Sequence, residues 1–543
     1  MSRDSDEEQS AAPPSAAAHA QILAYHQRSK HRPERYAAGP ETLDWSAQPN
    51  PFREYHGAPR IRLPLNADRL SASFAALHIP GAVAPQPLTL DGVGALLELS
   101  FGLAAWKEYG PDRWAVRCNP SSGNLHPTEA YVICRQIPSI KDGVYHYLSR
   151  DHLLEQRCRA EAAPEAPARL LVGLTSIHWR EAWKYGERAF RYCQLDTGHA
   201  IATLRYAAAT LGWHVRIMDH CSHRQLAHWL GLNRDADFNG AEREEPELLL
   251  EIDLTQQADP ALPFRFWEPE LTNWQGQANL LDAHPMYRWP VIDEVTLASR
   301  KPLTQQSARP APKSANAVPA CEIPAATLIR QRRSAQHFDA GFTQDIDSFY
   351  QMLDALQISA NMPWDVWNEP ARVHPVLFVH RVAGLPPGIY ALPRSMKAQA
   401  QMQAAMRADF LWRKPADCPH HISLFLLAEA YLGKALRAIS CHQAIAADSS
   451  FTLGLLAEFD APLQDSPWRY RQLYWEAGLI GQVLYLQAEA AGLRGTGIGC
   501  YFDDVCHELL GLQDTAFQSL YHFTVGYPLT DARIANLPPY PRT

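Results

Sequence analysis

The sequence predicts an α+β protein built from two tandem copies of one unit, and three observations point to it. A shift of 280 residues lays Arg191 on Arg471, Asp196 on Glu476, Gly198 on Gly478, Leu204 on Leu484, Ala208 on Ala488 and Gly212 on Gly492. The same shift, without a gap, lays WLGL (229–232) on LLGL (509–512). Chance rarely places two separated blocks in one register. Each long block also carries Leu and Ala at helical spacing, then a glycine just past the last turn, as a C-cap requires. Strand-like runs follow, ELLLEIDL (247–254) and YHFTVGY (521–527). On this reading helices dominate, with short strands between them.

In chain order, residues 1–20 are acidic and then rich in Ala, Pro and Ser, the composition of a disordered tail. No basic start leads into an apolar run there, so the segment does not read as a signal peptide. Residues 21–258 hold the first unit. Residues 259–320 read as a linker, ending in the Pro-, Ala- and Ser-rich RKPLTQQSARPAPKSANAVP. Residues 321–543 hold the second unit. A length of 543 residues suits this division.

The formal net charge of −8 offers no field to attract nucleic acid. No run of 18 apolar residues suggests a membrane span. Ten cysteines are scattered without a CxxC pair, which points to reduced thiols in a cytosol and to no metal site. No G-x-S-x-G or kinase-like set occurs.

Several stretches carry chemistry. RCNPSSGNLHPTEAYVI (117–133) crowds Pro120, Ser121, Ser122, Gly123 and Asn124 into one turn before a strand-like tail. IRQRRSAQHFD (329–339) sets Arg332, Arg333 and Ser334 side by side. Two guanidiniums and a hydroxyl suit a phosphate, and they equally suit a solvated helix end. The first half opens similarly with Arg28, Ser29, Lys30 and His31. In AGLRGTGIGCYFDD (491–504), Gly495, Gly497 and Gly499 follow a helix. A dinucleotide fingerprint instead follows a strand and opens a helix. Glycines here permit close backbone approach to a flat ligand, or make a flexible loop. Arg533 follows the last strand as a second phosphate ligand or a surface residue. Asp196 and His199 lie one helical turn apart, and His126 and His374 each precede a proline, where a structural turn role is expected.

Together RRSAQHF, NPSSGNLHPTEAYVI, KYGERAFRYCQLDTGH, WEAGLIGQVLYLQAEAAGLRGTGIG and VGYPLTDAR resemble the nitroreductase superfamily, in particular its SagB-type dehydrogenases, which include azoline-oxidising enzymes of peptide natural-product pathways. The resemblance implies an α+β fold binding FMN at a dimer interface, here an intramolecular pseudo-dimer of two tandem nitroreductase-like domains. It implies that Arg332, Arg333, Ser334 and Arg533 hold the FMN phosphate. Gln336 departs from the usual basic residue there. The segments Glu476-Ala477-Gly478 and Gly495, Gly497, Ile498 and Gly499 would lie beside them, and Pro120 to Asn124 would line the flavin ring from the other half. It further implies that Lys184 and Tyr185 act in proton removal from substrate, as a base and a hydrogen-bonding partner.

A second, equivalent site looks degraded. Its ring segment, SANMPWDVWNEPARVHPVLFVH (359–380), lacks Pro-Ser-Ser-Gly-Asn, and Val215, Ile217 and Asp219 stand where the other half has glycines. One FMN per chain is the expectation. The expected reaction is oxidation of a small molecule or peptide-derived heterocycle, with oxygen or another acceptor as co-substrate. The alternatives are NAD(P)H-driven reduction of a nitro compound, quinone or enone, and a cofactor-poor scaffold in a modification complex.

Overall fold

The computed structural model describes residues 15–160, 167–254, 271–305, 307 and 316–541. The first half contributes β1 (Thr128–Arg135), β2 (Gly143–Leu148), β3 (Leu153–Ala160), β4 (Arg169–Ser176), β5 (His214–Ile217) and β6 (Glu245–Asp253). These pair antiparallel in the order β3-β2-β1-β4-β6-β5, and the short strands Arg60–Arg62 and Leu271–Thr272 add to β3. The second half contributes β7 (Val373–Val379), β8 (Gly388–Ala391), β9 (Phe425–Glu429), β10 (Phe451–Glu458), β11 (Arg494–Ile498) and β12 (Phe517–Gly526). Their order is β9-β8-β7-β10-β12-β11. Adding six to each label of the first sheet gives the second.

The sheets flank two buried helices, α1 (Ala189–Thr210) and α2 (Arg469–Ala490), whose bounds differ by the 280 residues of the sequence repeat. Both end alike. Gly212 and Gly492 adopt φ of 69° and 71°. Trp213 N–H donates to Ala208 O at 3.0 Å, and Leu493 N–H to Ala488 O at 2.8 Å. These are the long hydrogen bonds of a Schellman cap, which stop the helix at the glycine.

The two helices meet backbone to backbone. A Cβ on Gly198 would collide with the carbonyl oxygen of Trp475, and a Cβ on Gly478 with that of Leu195. The pairs 198/475 and 478/195 exchange under the 280-residue shift, so the contact is close to two-fold symmetric. Around it Ile201, Leu204, Leu479 and Val483 join one apolar core shared by both halves. The halves cross elsewhere too. The C-terminal strand Ala535–Leu537 pairs with Leu103–Tyr109 of the first-half hairpin, which continues through Asp112–Arg117.

Three expectations need correction. Strands are neither few nor short: β1, β4 and β10 have eight residues each. They are buried along nearly their whole length, so they read as continuous apolar runs without the alternation that betrays a half-exposed strand. The expected tail contains the start of a helix, Ser15–Arg28, which buries Ala18, Ile22 and Tyr25; residues 1–14 lie outside the described residues. The expected linker contains the helix Pro290–Ala298, which packs on that N-terminal helix. Much of the rest of the linker lies outside the described residues.

The helix contact makes a prediction. Gly198→Ala or Gly478→Ala overpacks a backbone-to-backbone crossing, which costs about 1–3 kcal/mol. Gly433→Ala, whose nearest neighbour is the Ala447 methyl at 3.7 Å, should leave stability almost unchanged. Urea unfolding of the three variants checks the ranking. Equal midpoints would show that the close crossing does not form.

Candidate active site

The stretch after the helix Ala325–Gln331 turns the chain against the first-half hairpin. Arg332 is buried and donates to the carbonyl of Arg117 at 3.4 Å, with its guanidinium 4.8 Å from the Tyr485 ring. Its Nε has no hydrogen-bond partner among the described residues. Arg333 reaches the carbonyl of Ala104 at 3.4 Å. Burial, and then Arg332, push the Arg333 guanidinium down to about 10. Lys107 of the same hairpin is also depressed, first by burial and then by Arg333, Arg494 and Arg332. Among the described residues, Arg332, Arg333 and Lys107 have no carboxylate at salt-bridge distance. Arg494 has Glu489 at 3.3 Å. Four cations thus share one corner, and only Arg494 of them is paired with a carboxylate. A buried guanidinium N–H without an acceptor, surrounded by surplus positive charge, fits an anionic ligand. The Ser334 hydroxyl stands at the exposed edge, 2.7 Å from Tyr485 Oη.

Beyond Arg117 the chain enters the Pro120–Asn124 turn, where Gly123 has φ 60° and Asn124 φ 61°. The serines face inward. Ser122 donates through its N–H and hydroxyl to Asp196 at 3.0 and 2.9 Å, and the Ser121 hydroxyl bonds the same carboxyl. Ser121 Oγ also accepts from His126 N–H at 2.8 Å, and Asn124 binds Ala115 O at 2.9 Å. Burial raises Asp196 to about 7 despite those donors. The nearby Glu181 is held well above the carboxylate range by burial and then by Asp196. Neither of its oxygens has a partner among the described residues. Lys184, half-buried and 5.3 Å from the Trp45 ring, is pushed down by burial. Tyr185 packs its hydroxyl on Gly123 and its ring 4.5 Å from Tyr192. Lys184 and Tyr185 therefore flank the turn beside two carboxyls that resist ionisation. Such a cluster can hold a proton, or pass one, near neutral pH.

Gly495, Gly497 and Gly499 are not a loop. The first two lie on β11, the third follows it, and their period of two puts them on one face. That face carries the chain's own rings: Phe523 against Gly495, Tyr521 against Gly497 and Tyr192 against Gly499. Gly497 N–H donates to Tyr485 Oη at 3.2 Å, and Tyr521 Oη lies 3.1 Å from His199 Nε2. Ile498 points the other way, into the core of the second half.

Other expected residues fall elsewhere. Glu476 does not join this corner. Its carboxyl takes Arg394 and the Arg372 N–H, on the opposite side of the helix pair. Asp196, its repeat partner, faces the turn instead, because a two-fold arrangement sends equivalent helix positions to opposite sites. Ala477 is buried, and Gly478 lies at the helix crossing. Arg533 is 72% exposed and is neutralised by Asp531 at 2.7 Å, so it does not join the cation corner. Gln336 is exposed. Lys107 and Arg494 were not anticipated; Arg494 directly precedes the glycine strand, whereas nothing around Lys107 signals its place.

The equivalent corner differs in charge. The 280-residue shift turns Tyr485 and Arg494 into Arg205 and His214, and both meet Asp365, Arg205 at 2.7 Å and His214 at 3.5 Å. Its turn position holds Trp364, buried 4.1 Å beneath the Arg394 guanidinium. Cations there meet carboxylates already in place.

Residues 83–241 match the family model described as "Nitroreductase family". A stretch of 137 residues is 27% identical to a protein of Methanocaldococcus jannaschii described as a nitroreductase, spanning 23% of this chain and 66% of that protein. Another, of 159 residues, is 32% identical to the trifolitoxin-processing protein TfxB of Rhizobium leguminosarum bv. trifolii, spanning 26% of this chain and 42% of TfxB. The chain thus spans about two thirds or less of these relatives' own length. A crystal structure from Anabaena variabilis, described as that of a nitroreductase, superimposes with a TM-score of 0.66 at 20% identity, covering 94% of this chain and 99% of that one. Residues 83–241 are a nitroreductase-family domain, and the fold is mixed α/β and nitroreductase-like. Among the described residues, no helix is long and apolar enough to cross a membrane.

Asp196 gives a pH test. Its carboxyl holds a proton to about 7 when folded and releases it near 3.8 when unfolded. The folded state therefore binds the extra proton, and this contribution to stability is full below the lower value and lost as pH rises through the upper one. Urea unfolding between pH 4 and 8 should show wild type losing stability relative to Asp196→Asn across that window. A difference that does not change with pH would mean that Asp196 ionises normally.

Proposed function

We propose that this chain is an FMN-dependent oxidoreductase of SagB type, acting as a dehydrogenase on a small molecule or peptide-derived heterocycle, with its two halves paired as an internal dimer. The cation corner carries the reading. Arg332, Arg333 and Arg494 come from one half, Lys107 and the Arg117 carbonyl from the other, and the surplus charge suits a phosphate monoester. FMN has that group on a flat ring system. Arg332, Arg333, Lys107 and Ser334 would hold the phosphate. The Pro120–Asn124 turn and the Gly497–Gly499 backbone would border the ring.

Bound there, the flavin would supply the hydride acceptor. The chain supplies the rest. Lys184, with its ammonium form disfavoured by burial, would accept the proton that leaves the substrate. Tyr185 would donate a hydrogen bond to charge developing on it. The Asp196 and Glu181 carboxyls, both pushed up by burial, would add little negative charge against that step below neutral pH. The likeness to a trifolitoxin-processing protein supports a peptide-derived substrate. The equivalent corner, where Asp365 neutralises Arg205, favours one cofactor per chain.

Three outcomes test the proposal. FMN binding followed by absorbance should weaken at least about tenfold in Arg333→Ala, the loss of one charge-assisted phosphate contact. Arg533→Ala should bind as wild type does; equal affinities for all three proteins would place the phosphate elsewhere. Lys184→Ala should keep FMN and lose about 100-fold or more in the rate at which an azoline-containing peptide bleaches the flavin anaerobically. Rapid bleaching by NADPH with none by such a peptide would reverse the proposed direction of reaction.

A further inference from the structure

Of the ten cysteines, eight are buried; Cys441 and Cys500 are the half-buried pair. They stand 59 positions apart in sequence and side by side in the fold. Phe502 N–H donates to Ile439 O at 2.7 Å, and Gln443 Nε2 donates to the Cys500 carbonyl at 3.1 Å, which locks the two segments together. Around them the His442 ring packs 6.0 Å from Phe502, and the Tyr36 ring packs 5.6 Å from Phe502 and 5.0 Å from His31. Cys441 and His442 adopt φ of 50° and 63° in succession, strained backbone for two residues with side chains.

The surroundings differ at the two ends of the pair. Tyr36 is pushed up by burial and then by the nearby Cys441. His31 is pushed down by burial, against the opposing effect of the nearby Cys500. His31 Nδ1 accepts the Ala37 N–H at 2.9 Å, so its ring proton sits on Nε2 and is available to sulfur. Arg188 donates to the carbonyl of Gly499, the residue before Cys500, at 3.2 and 3.0 Å, bringing close a buried guanidinium that is itself paired with Asp503 at 2.9 Å. Cys441, and then His31 and Arg188, hold the Cys500 thiol below its ordinary range against the effect of burial. A thiol so depressed, with a second half-buried thiol on the adjoining segment, has the parts of a two-cysteine exchange centre: one sulfur to attack and one to resolve.

We propose that Cys441 and Cys500 form a redox-active dithiol that exchanges with low-molecular-weight disulfides. The Cys500 thiolate attacks one sulfur of the disulfide and expels a thiolate, leaving a mixed disulfide on Cys500. Cys441 loses its proton and attacks the Cys500 sulfur, expelling the second small thiolate. The two protein thiols are oxidised to one disulfide, the small disulfide is reduced to two thiols, and the two protons released pass to those thiolates or to solvent. The inference does not depend on any cofactor. The bond would tie the strand bearing Gly497 and Gly499 to the 439–443 turn.

Incubating the full chain with oxidised glutathione tests this, read by intact mass and non-reduced peptide mapping. Wild type should lose about 2 Da, with one linked peptide pair containing Cys441 and Cys500. Cys441→Ser should stop at a single glutathione adduct on Cys500. Cys500→Ser should react at least about tenfold more slowly at pH 6 than Cys441→Ser does. Adducts on both cysteines of wild type without a link, or equal rates for the two variants, would overturn the proposal. Should Cys500→Ser fail to fold, the mapped link in wild type and the trapped adduct in Cys441→Ser decide it.

Discussion

Two glycines, Gly198 and Gly478, let α1 and α2 touch through their main chains. Side chains at those positions would hold the helices apart. Because each helix carries its own sheet, their separation sets the separation of the two halves. It therefore sets whether Arg332 of the second half reaches the carbonyl of Arg117 in the first. The cation corner exists only while that closeness holds. The C-terminal strand Ala535–Leu537, paired onto the first-half hairpin, grips the same junction from outside.

The near-symmetry of the scaffold makes its asymmetries informative. Under a two-fold relation, both corners should carry the same chemistry. At one, Asp365 pairs with Arg205 and Trp364 fills the turn; at the other, three cations stand without carboxylates and a serine-rich turn binds a buried acid. Surplus buried positive charge is costly in an isolated fold and is relieved by an anion. Retained by the corner whose turn keeps Gly123, that surplus marks a place for a ligand, whereas the paired corner serves the structure. Proton-handling groups follow the same division, with Lys184, Tyr185, Glu181 and Asp196 all on the serine side.

The repeat was legible because α1 and α2 must present the same small residues to the same crossing and stop at the same glycine. The nearness of Pro120–Asn124 and Arg332–Ser334 across the halves followed from the resemblance, not from spacing. Strands were less legible: β4, RLLVGLTS, is buried along most of its length, so its pattern does not alternate. Glu476 went to the wrong corner because a motif names a residue type without saying which of two related sites it faces. Lys107 carried no local signal, since its place comes from a hairpin paired with a strand more than 400 residues further along the chain. The glycines of β11 were read as room for a ligand, and the first flat groups they admit are the chain's own tyrosines.

A crystal structure of the full chain grown with excess FMN tests the central claim most directly. The account predicts one molecule per chain, its phosphate bonded to Arg332 and Arg333 and its ring beside the Pro120–Asn124 turn. A phosphate at the corner of Arg205 and Asp365, or one molecule in each corner, would contradict it.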